Sequence, residues 1–344
     1  NTTFDNDFIY DNENWAHGYV EKDNTSNGDG IKDNADYNGF IQEKSHAAVP
    51  ALNTLGSINE SLLIANIGSF RTFVTEVTSE VQTAKTLPNG KVLKHDYFTH
   101  TPVKSNDWRD KEHFYFLEGK LSFLDANNEW FYDKKSKTLY AWSTNNGNDL
   151  NNATIKGKTH TYSFDISNAD QVEIKNLKFF SATVRIYDGS NINIYNNVFS
   201  YPNCSKRMLG IKTAPLVTSV DQKTNGELTS NGSSFNCTFE KNVFEYTDGE
   251  ALILGGNEHK IKNNYFHHID YTCAAIQGIG LSVMASGSKI EFDHNIMHTT
   301  GASATINLGP EAKIRYNDIS NTGLGQSDGS IIQLTKNIVE GSET

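Results

Sequence analysis

A short alternation of apolar and polar positions recurs through the second half of the chain. Six segments carry it: Ile174–Phe179, Ile194–Phe199, Phe239–Phe244, Ile261–Phe266, Phe292–Met297 and Ile314–Ile319. Each opens and closes on an apolar residue, and the position two before the close is Asn in five of them: Asn197, Asn242, Asn264, Asn295 and Asn317. Leu177 stands there in the first. The closing positions are spaced by 20, 45, 22, 31 and 22 residues, a base period near 22 with two insertions. A period of this length is the signature of a solenoid. A fixed Asn per repeat predicts a ladder of side-chain amides at a tight bend, with Phe199, Phe244, Phe266, Met297 and Ile319 stacked inside.

The rest of each repeat decides the architecture. A second apolar run follows in every full turn, as in Ala251–Leu254, Gly280–Val283, Ala304–Leu308 and Ser330–Leu334. None of these has helical periodicity, and Leu is scarce in the repeats. That argues against a leucine-rich horseshoe and for an all-β parallel β-helix, whose strands stack at about 4.8 Å. Residues 161–344 are expected to form its coils. The segment 205–233 is read as a polar insertion over one face, and residues 1–160 as a β-rich N-terminal segment. The chain opens in polar residues and stops at Thr344 inside a repeat, so a mature or partial chain whose solenoid continues is expected.

Composition narrows the functional classes. With 26 Gly, only 6 Pro and abundant Asn, Asp, Ser and Thr, the 344 residues suit many short strands. A net charge of −11 argues against nucleic acid and anionic membrane surfaces, and no apolar run spans a membrane. An anionic substrate needs only a local basic cleft and stays open. The three cysteines have no metal-ligand spacing, and no disulfide is expected. Near the N-terminus, Asp23, Asn27, Asp29, Asp33 and Asp36 alternate with glycines, a spacing that could supply oxygens to a structural Ca²⁺. The alternative is a solvated surface loop.

In the first half, Arg71–Thr78 and His113–Asp125 read as strands, and Asn128–Asp133 and Thr138–Trp142 as an aromatic hairpin turning at 134–137. The order FYFLEG, LD, NEWFYD, TLYAW, followed by Asn-rich repeats, resembles right-handed parallel β-helix proteins of the polysaccharide-degrading type over roughly residues 60–335. That group includes glycoside hydrolases and relatives of alginate and chondroitin lyases, many from marine and gut bacteria. The resemblance implies right-handed coils and a secreted or cell-surface, monomeric enzyme whose partner is a polysaccharide, acidic or sulfated.

Candidate chemistry collects at one corner of successive repeats. One residue after the closing apolar position lie Glu245, His267, His298 and Ser320; two after it lie Tyr246, His268, Thr299 and Asn321; four after it lie Asp248, Asp270, Gly301 and Gly323. A lone Asp-Gly is ordinarily a turn and a lone His ordinarily structural. Stacked like groups, however, repel and desolvate one another without structural gain. Asp248, Asp270, Glu250 and His268 are therefore the expected catalytic groups, with Asp248 and Asp270 on adjacent coils. His267, His298, Gln326, Asp328, Tyr271 and the basic pair Lys206 and Arg207 are expected to bind substrate. Carboxylates without Lys or Arg in these columns favour glycoside hydrolysis. Elimination by a polysaccharide lyase and a non-catalytic carbohydrate-binding or adhesin solenoid are the alternatives.

Overall fold

The computed structural model describes residues 15–22, 37–42, 52–66, 71–83, 96–101, 113–126, 129–143, 145, 147–160, 162–203, 205–210, 217–222, 232–273, 281–326 and 329–334. The chain divides into two compact units. Residues 1–155 and 207–211 form one, and residues 156–206 and 212–344 the other. The expected calcium loop at Asp23, Asn27, Asp29, Asp33 and Asp36 lies outside the described residues, as do Asp328 and Cys204.

The first unit holds a six-stranded antiparallel sheet. Its spatial order is Thr72–Glu76, Leu62–Asn66, His113–Glu118, Ala16–Lys22, Tyr37–Gln42 and Tyr97–Thr99. Ile58, Leu63, Ala65, Val77, Phe98 and Tyr115 form its core, and burial pushes the Tyr115 phenol far above its ordinary pKa. Trp130–Asp133 and Thr138–Ala141 pair as a separate antiparallel hairpin. Asp133 closes its turn, accepting from the Lys135 N–H at 2.9 Å and the Ser136 hydroxyl at 2.5 Å.

The second unit is built from three parallel sheets of six, six and seven strands, compatible with a β-helix solenoid. From residue 173 on, each repeat gives one strand to each sheet. In the fourth repeat these are Lys260–Lys262, Tyr265–Ile269 and Leu281–Ala285. Pairing joins equivalent positions of successive repeats: Phe179, Phe199, Phe244, Phe266, Met297 and Ile319 are partners in turn. The segment expected to be an insertion, 205–233, contains the buried strand Thr218–Val220. This strand joins the third sheet between Thr183–Tyr187 and Leu252–Leu254. Its short Val217-Thr-Ser-Val220 run was hidden by the polar residues on either side.

Two residues separate the strands of the first and second sheets in each repeat. The first of them is left-handed throughout: Asn176, Asn196, Lys241, Asn263, His294 and Tyr316 have φ between 53° and 60°. Asn and His tolerate this region better than most residues, and the bend recurs even with Lys and Tyr. The second residue is the repeated Asn, which repays the bend. Asn264 shows the pattern: its Oδ1 accepts from the Asn242 N–H (2.9 Å) and the Asn242 amide (3.1 Å). Its own amide donates to the Phe239 carbonyl (2.9 Å) and to Asn295 Oδ1 (3.0 Å). All four hydrogen-bonding positions of the buried amide are used. The ladder runs from Asn317 to Asn197 and ends where Leu177, 40% exposed, donates only its N–H to Asn197 Oδ1.

Beside the ladder the rings of Phe179, Phe199, Phe244 and Phe266 stack nearly parallel, with centroids 4.6, 4.9 and 5.0 Å apart. Strand spacing sets these separations. Removal of Asn264 is therefore expected to cost as much as a core cavity. Asn264→Ala orphans at least two buried groups at about 1–3 kcal/mol each, and Phe266→Ala should cost about 3–5 kcal/mol. Equilibrium urea denaturation checks both. A loss below 1 kcal/mol for Asn264→Ala would contradict the structural role of the ladder.

Candidate functional site

The outer face of the second sheet carries the chemistry. In Tyr265–Ile269 the side chains alternate, so Phe266 enters the core while Tyr265 and His267 point outward together. Pairing then places Ser200, Glu245, His267, His298 and Ser320 in one row across successive strands. The next residue in each repeat is again left-handed, with Tyr201, Tyr246, His268 and Thr299 at φ of 53° to 57°. This second bend carries a parallel row of rings along the edge of the face.

Hydrogen bonds join the two rows. Ser200 donates to Glu245 Oε1, and Glu245 Oε2 lies 3.1 Å from His267 Nε2. His267 Nδ1 lies 2.8 Å from His268 Nδ1, so one of the two must carry a proton. With the His267 Nε2–H donating to Glu245, the His267 Nδ1 accepts from His268. Burial, followed by repulsion from His268, lowers the pKa of His267 and keeps it neutral. The His298 ring stacks on His267 at 5.7 Å. His298 Nε2 is 2.6 Å from the Tyr265 hydroxyl, and its Nδ1 is 3.0 Å from Thr299 Oγ1. His298 thus bridges the Tyr265 and Thr299 hydroxyls through its two ring nitrogens.

The expected acids sit deeper. Asp248 and Asp270 do not stack as equivalent positions. Thr247 Oγ1 accepts from the Asp270 N–H (2.8 Å), and the Thr247 carbonyl accepts from the Tyr271 N–H (3.4 Å). Asp248 instead receives the Thr272 hydroxyl at 2.8 Å. The strands slip after Ile269, where Asp270 itself is left-handed at φ 57°, and the slip turns Asp270 inward. Asp270 is buried, and its Oδ1 accepts from the Cys273 N–H at 3.0 Å. Close packing seals this corner: a Cβ on Gly301 or Gly325 would lie 2.7 or 2.6 Å from Cys273 Sγ.

Glu250 is the anomaly of the site. It is fully buried, and neither carboxyl oxygen has a hydrogen-bond partner. Burial pushes its pKa up to about 7, opposed by its own main-chain N–H and helped by the weaker repulsion from Asp248.

Several expected substrate ligands have other work. Gln326 is buried and stitches backbone, its Nε2 donating to the Cys273 carbonyl (3.1 Å) and its Oε1 accepting from Ser303 N–H (3.3 Å). Arg207 belongs to the first unit, where its guanidinium grips Glu118 at 2.5 and 3.3 Å. Lys206 and Tyr271 are half-buried in the second unit. Among the described residues no group of three or more His, Cys, Asp or Glu could hold a metal ion. Cys237 and Cys273 are free, buried thiols. No helix among the described residues is long and apolar enough to cross a membrane. The structure brings together His267, His268 and His298. It adds Glu245 and Tyr246, which already stood in the aligned columns, and Tyr265, legible from its place two residues before His267. No family model, curated protein or solved structure matches the chain.

The state of Glu250 has a measurable consequence. Its folded pKa lies above the unfolded one, so the folded state binds the extra proton. Stability is then lost as pH rises from 4.5 to about 7, a loss of about 2–4 kcal/mol for a shift of this size. Glu250→Gln removes the titration and should gain that amount on the wild type between pH 5 and pH 8. Denaturation at the two pH values reads it. Equal pH dependence in both proteins would show that Glu250 is not held protonated.

Proposed function

We propose that the second unit is a right-handed parallel β-helix of a secreted or cell-surface enzyme that cleaves a polysaccharide laid across the outer face of its second sheet. What supports the handedness is the general preference of parallel crossovers for the right hand. The observation that carries the activity is the row in which hydrogen-bonded Glu245, His267 and His268 stack on hydrogen-bonded His298 and Tyr265, beside the exposed ring of Tyr201 and the half-buried ring of Tyr246. Rings offer a stacking surface for sugars, and the row offers imidazoles and a phenol within hydrogen-bond reach of one another.

These groups suit β-elimination best. Tyr265 takes the proton from the carbon α to a uronate carboxylate, while its own phenolic proton moves to His298 Nε2. The electron pair of the broken C–H bond forms the new carbon–carbon double bond. The bond to the β oxygen breaks, and that oxygen leaves with a proton returned through Tyr265. Glu245 and His267 are positioning residues here, holding the ring on which His298 stacks.

Hydrolysis is the second reading, and the Glu250 carboxyl that stays protonated near neutrality beside half-buried Asp248 favours it. Glycosidases need one protonated and one ionised carboxyl. The burial of Glu250 and Asp270 favours Tyr265 and His298 over them as proton-transfer groups.

Digestion of uronate polymers separates the two. Elimination yields products with the ultraviolet absorbance of an unsaturated uronate, and hydrolysis yields reducing ends without it. Tyr265→Phe is expected to lower kcat about 10²- to 10⁴-fold at unchanged melting temperature. Near-normal turnover in Tyr265→Phe, with a large loss in Asp248→Asn, would move the chemistry to the carboxyl pair.

A further inference from the structure

The outer face of the second sheet is electrically lopsided. Its first strand, Lys178–Phe180, presents Lys178 and Phe180 on the same side, because residues two apart share a face. Lys156 Nζ lies 5.2 Å from the centroid of the Phe180 ring, and Lys158 donates to the Pro202 carbonyl at 3.0 Å, next to Tyr201. At the opposite end of the face, the position equivalent to Lys178 is Asp318. Three lysines thus gather at one end of one face in a chain whose net charge is −11.

The same end is aromatic and open. Phe180 is 54% exposed and Tyr201 37% exposed. Centroids from Phe180 to Tyr201 and from Tyr201 to Tyr246 are 5.7 and 5.2 Å apart, so the rings climb the stack one rung at a time. The row leads directly to His268, whose ring lies 5.0 Å from Tyr246.

We propose that Lys156, Lys178, Phe180 and Tyr201 form a binding subsite for an anionic sugar, on a track running across the strands into the Glu245 and His267 cluster. A pyranose has an apolar C–H face that stacks on Phe180 or Tyr201, and a carboxylate or sulfate at its edge meets the two ammonium groups. Lys156 is tethered over a ring rather than neutralised by a carboxylate, which keeps its N–H donors for a ligand. The occupant is an extended chain bearing repeated negative charge, since a single sugar would use neither the length of the row nor its charge gradient. This identifies the substrate class of the cleavage proposed above and rests on that reading for its link to catalysis, though not for binding itself.

Affinity electrophoresis in gels containing polygalacturonate, κ-carrageenan or neutral laminarin tests the subsite. The wild type should be retarded by at least one anionic polymer and not by laminarin; the pair of anionic gels distinguishes carboxylate from sulfate. The double variant K156A/K178A should raise the apparent Kd more than tenfold, and Tyr201→Leu should weaken binding where Tyr201→Phe retains it. Melting temperatures report whether each variant still folds, and wild-type binding should weaken as salt rises. Retardation by laminarin alone, by no polymer, or equally in wild type and K156A/K178A overturns the proposal. Lysine-dependent binding without released ends would retain the subsite and sink the cleavage reading. Cleavage by the wild type with unaltered binding in the double variant would do the reverse.

Discussion

Equivalent residues of successive repeats are forced to be neighbours, because parallel strands hydrogen-bonded in register hold them about 4.8 Å apart. Every side chain in the second unit is therefore judged by how well it tolerates a copy of itself. Amides and flat rings pass that test. An Asn amide has two donors and two acceptors, and from Asn242 to Asn295 the ladder uses all of them. The Phe rings stack nearly parallel at centroid distances of 4.6 to 5.0 Å, close to the spacing of the strands that carry them. Both columns satisfy buried groups and fill the core with the same residue repeated.

Ionisable groups do poorly under that rule, which makes the outer row informative. Glu245, His267 and His298 occupy equivalent positions but differ in kind, so each finds a complementary neighbour rather than a copy. The carboxylate faces an imidazole, that imidazole stacks on a second, and the second meets a phenol. This alternation turns a column that would be repulsive into a connected acid–base network. Glu250 shows the contrasting outcome: buried and unpartnered with Asp248 nearby, it retains its proton. The fold tolerates it at a cost that depends on pH.

Features set by the repeat were legible in the sequence, and features set by departures from it were not. The Asn and Phe columns follow from spacing alone, because nothing between Lys260 and Tyr265 disturbs the two-residue bend. The row of Glu245, His267 and His298 follows for the same reason. Asp270 leaves the column because the left-handed turn after Ile269 shifts the chain by a residue, which no column count registers. The surroundings of Gln326 and Arg207 were hidden for another reason. Their partners, the Cys273 carbonyl and Glu118, are 53 and 89 residues away and belong to no repeat. Thr218–Val220 was missed since three residues among polar neighbours carry too little periodicity to read.

The proposed function puts a glycan on one face, the outer side of the second sheet. Hydroxyl-radical footprinting tests it most directly, because it reads the oxidation of individual aromatic and histidine side chains with and without a bound polymer. With polygalacturonate or κ-carrageenan present, whichever is retained, Phe180, Tyr201, Tyr246 and Tyr265 should be protected together. Trp130 and Trp142, exposed on the hairpin of the first unit, should react as before. Protection confined to Trp130 and Trp142, with Tyr201 and Tyr265 unchanged, would contradict the account and place carbohydrate binding on the hairpin.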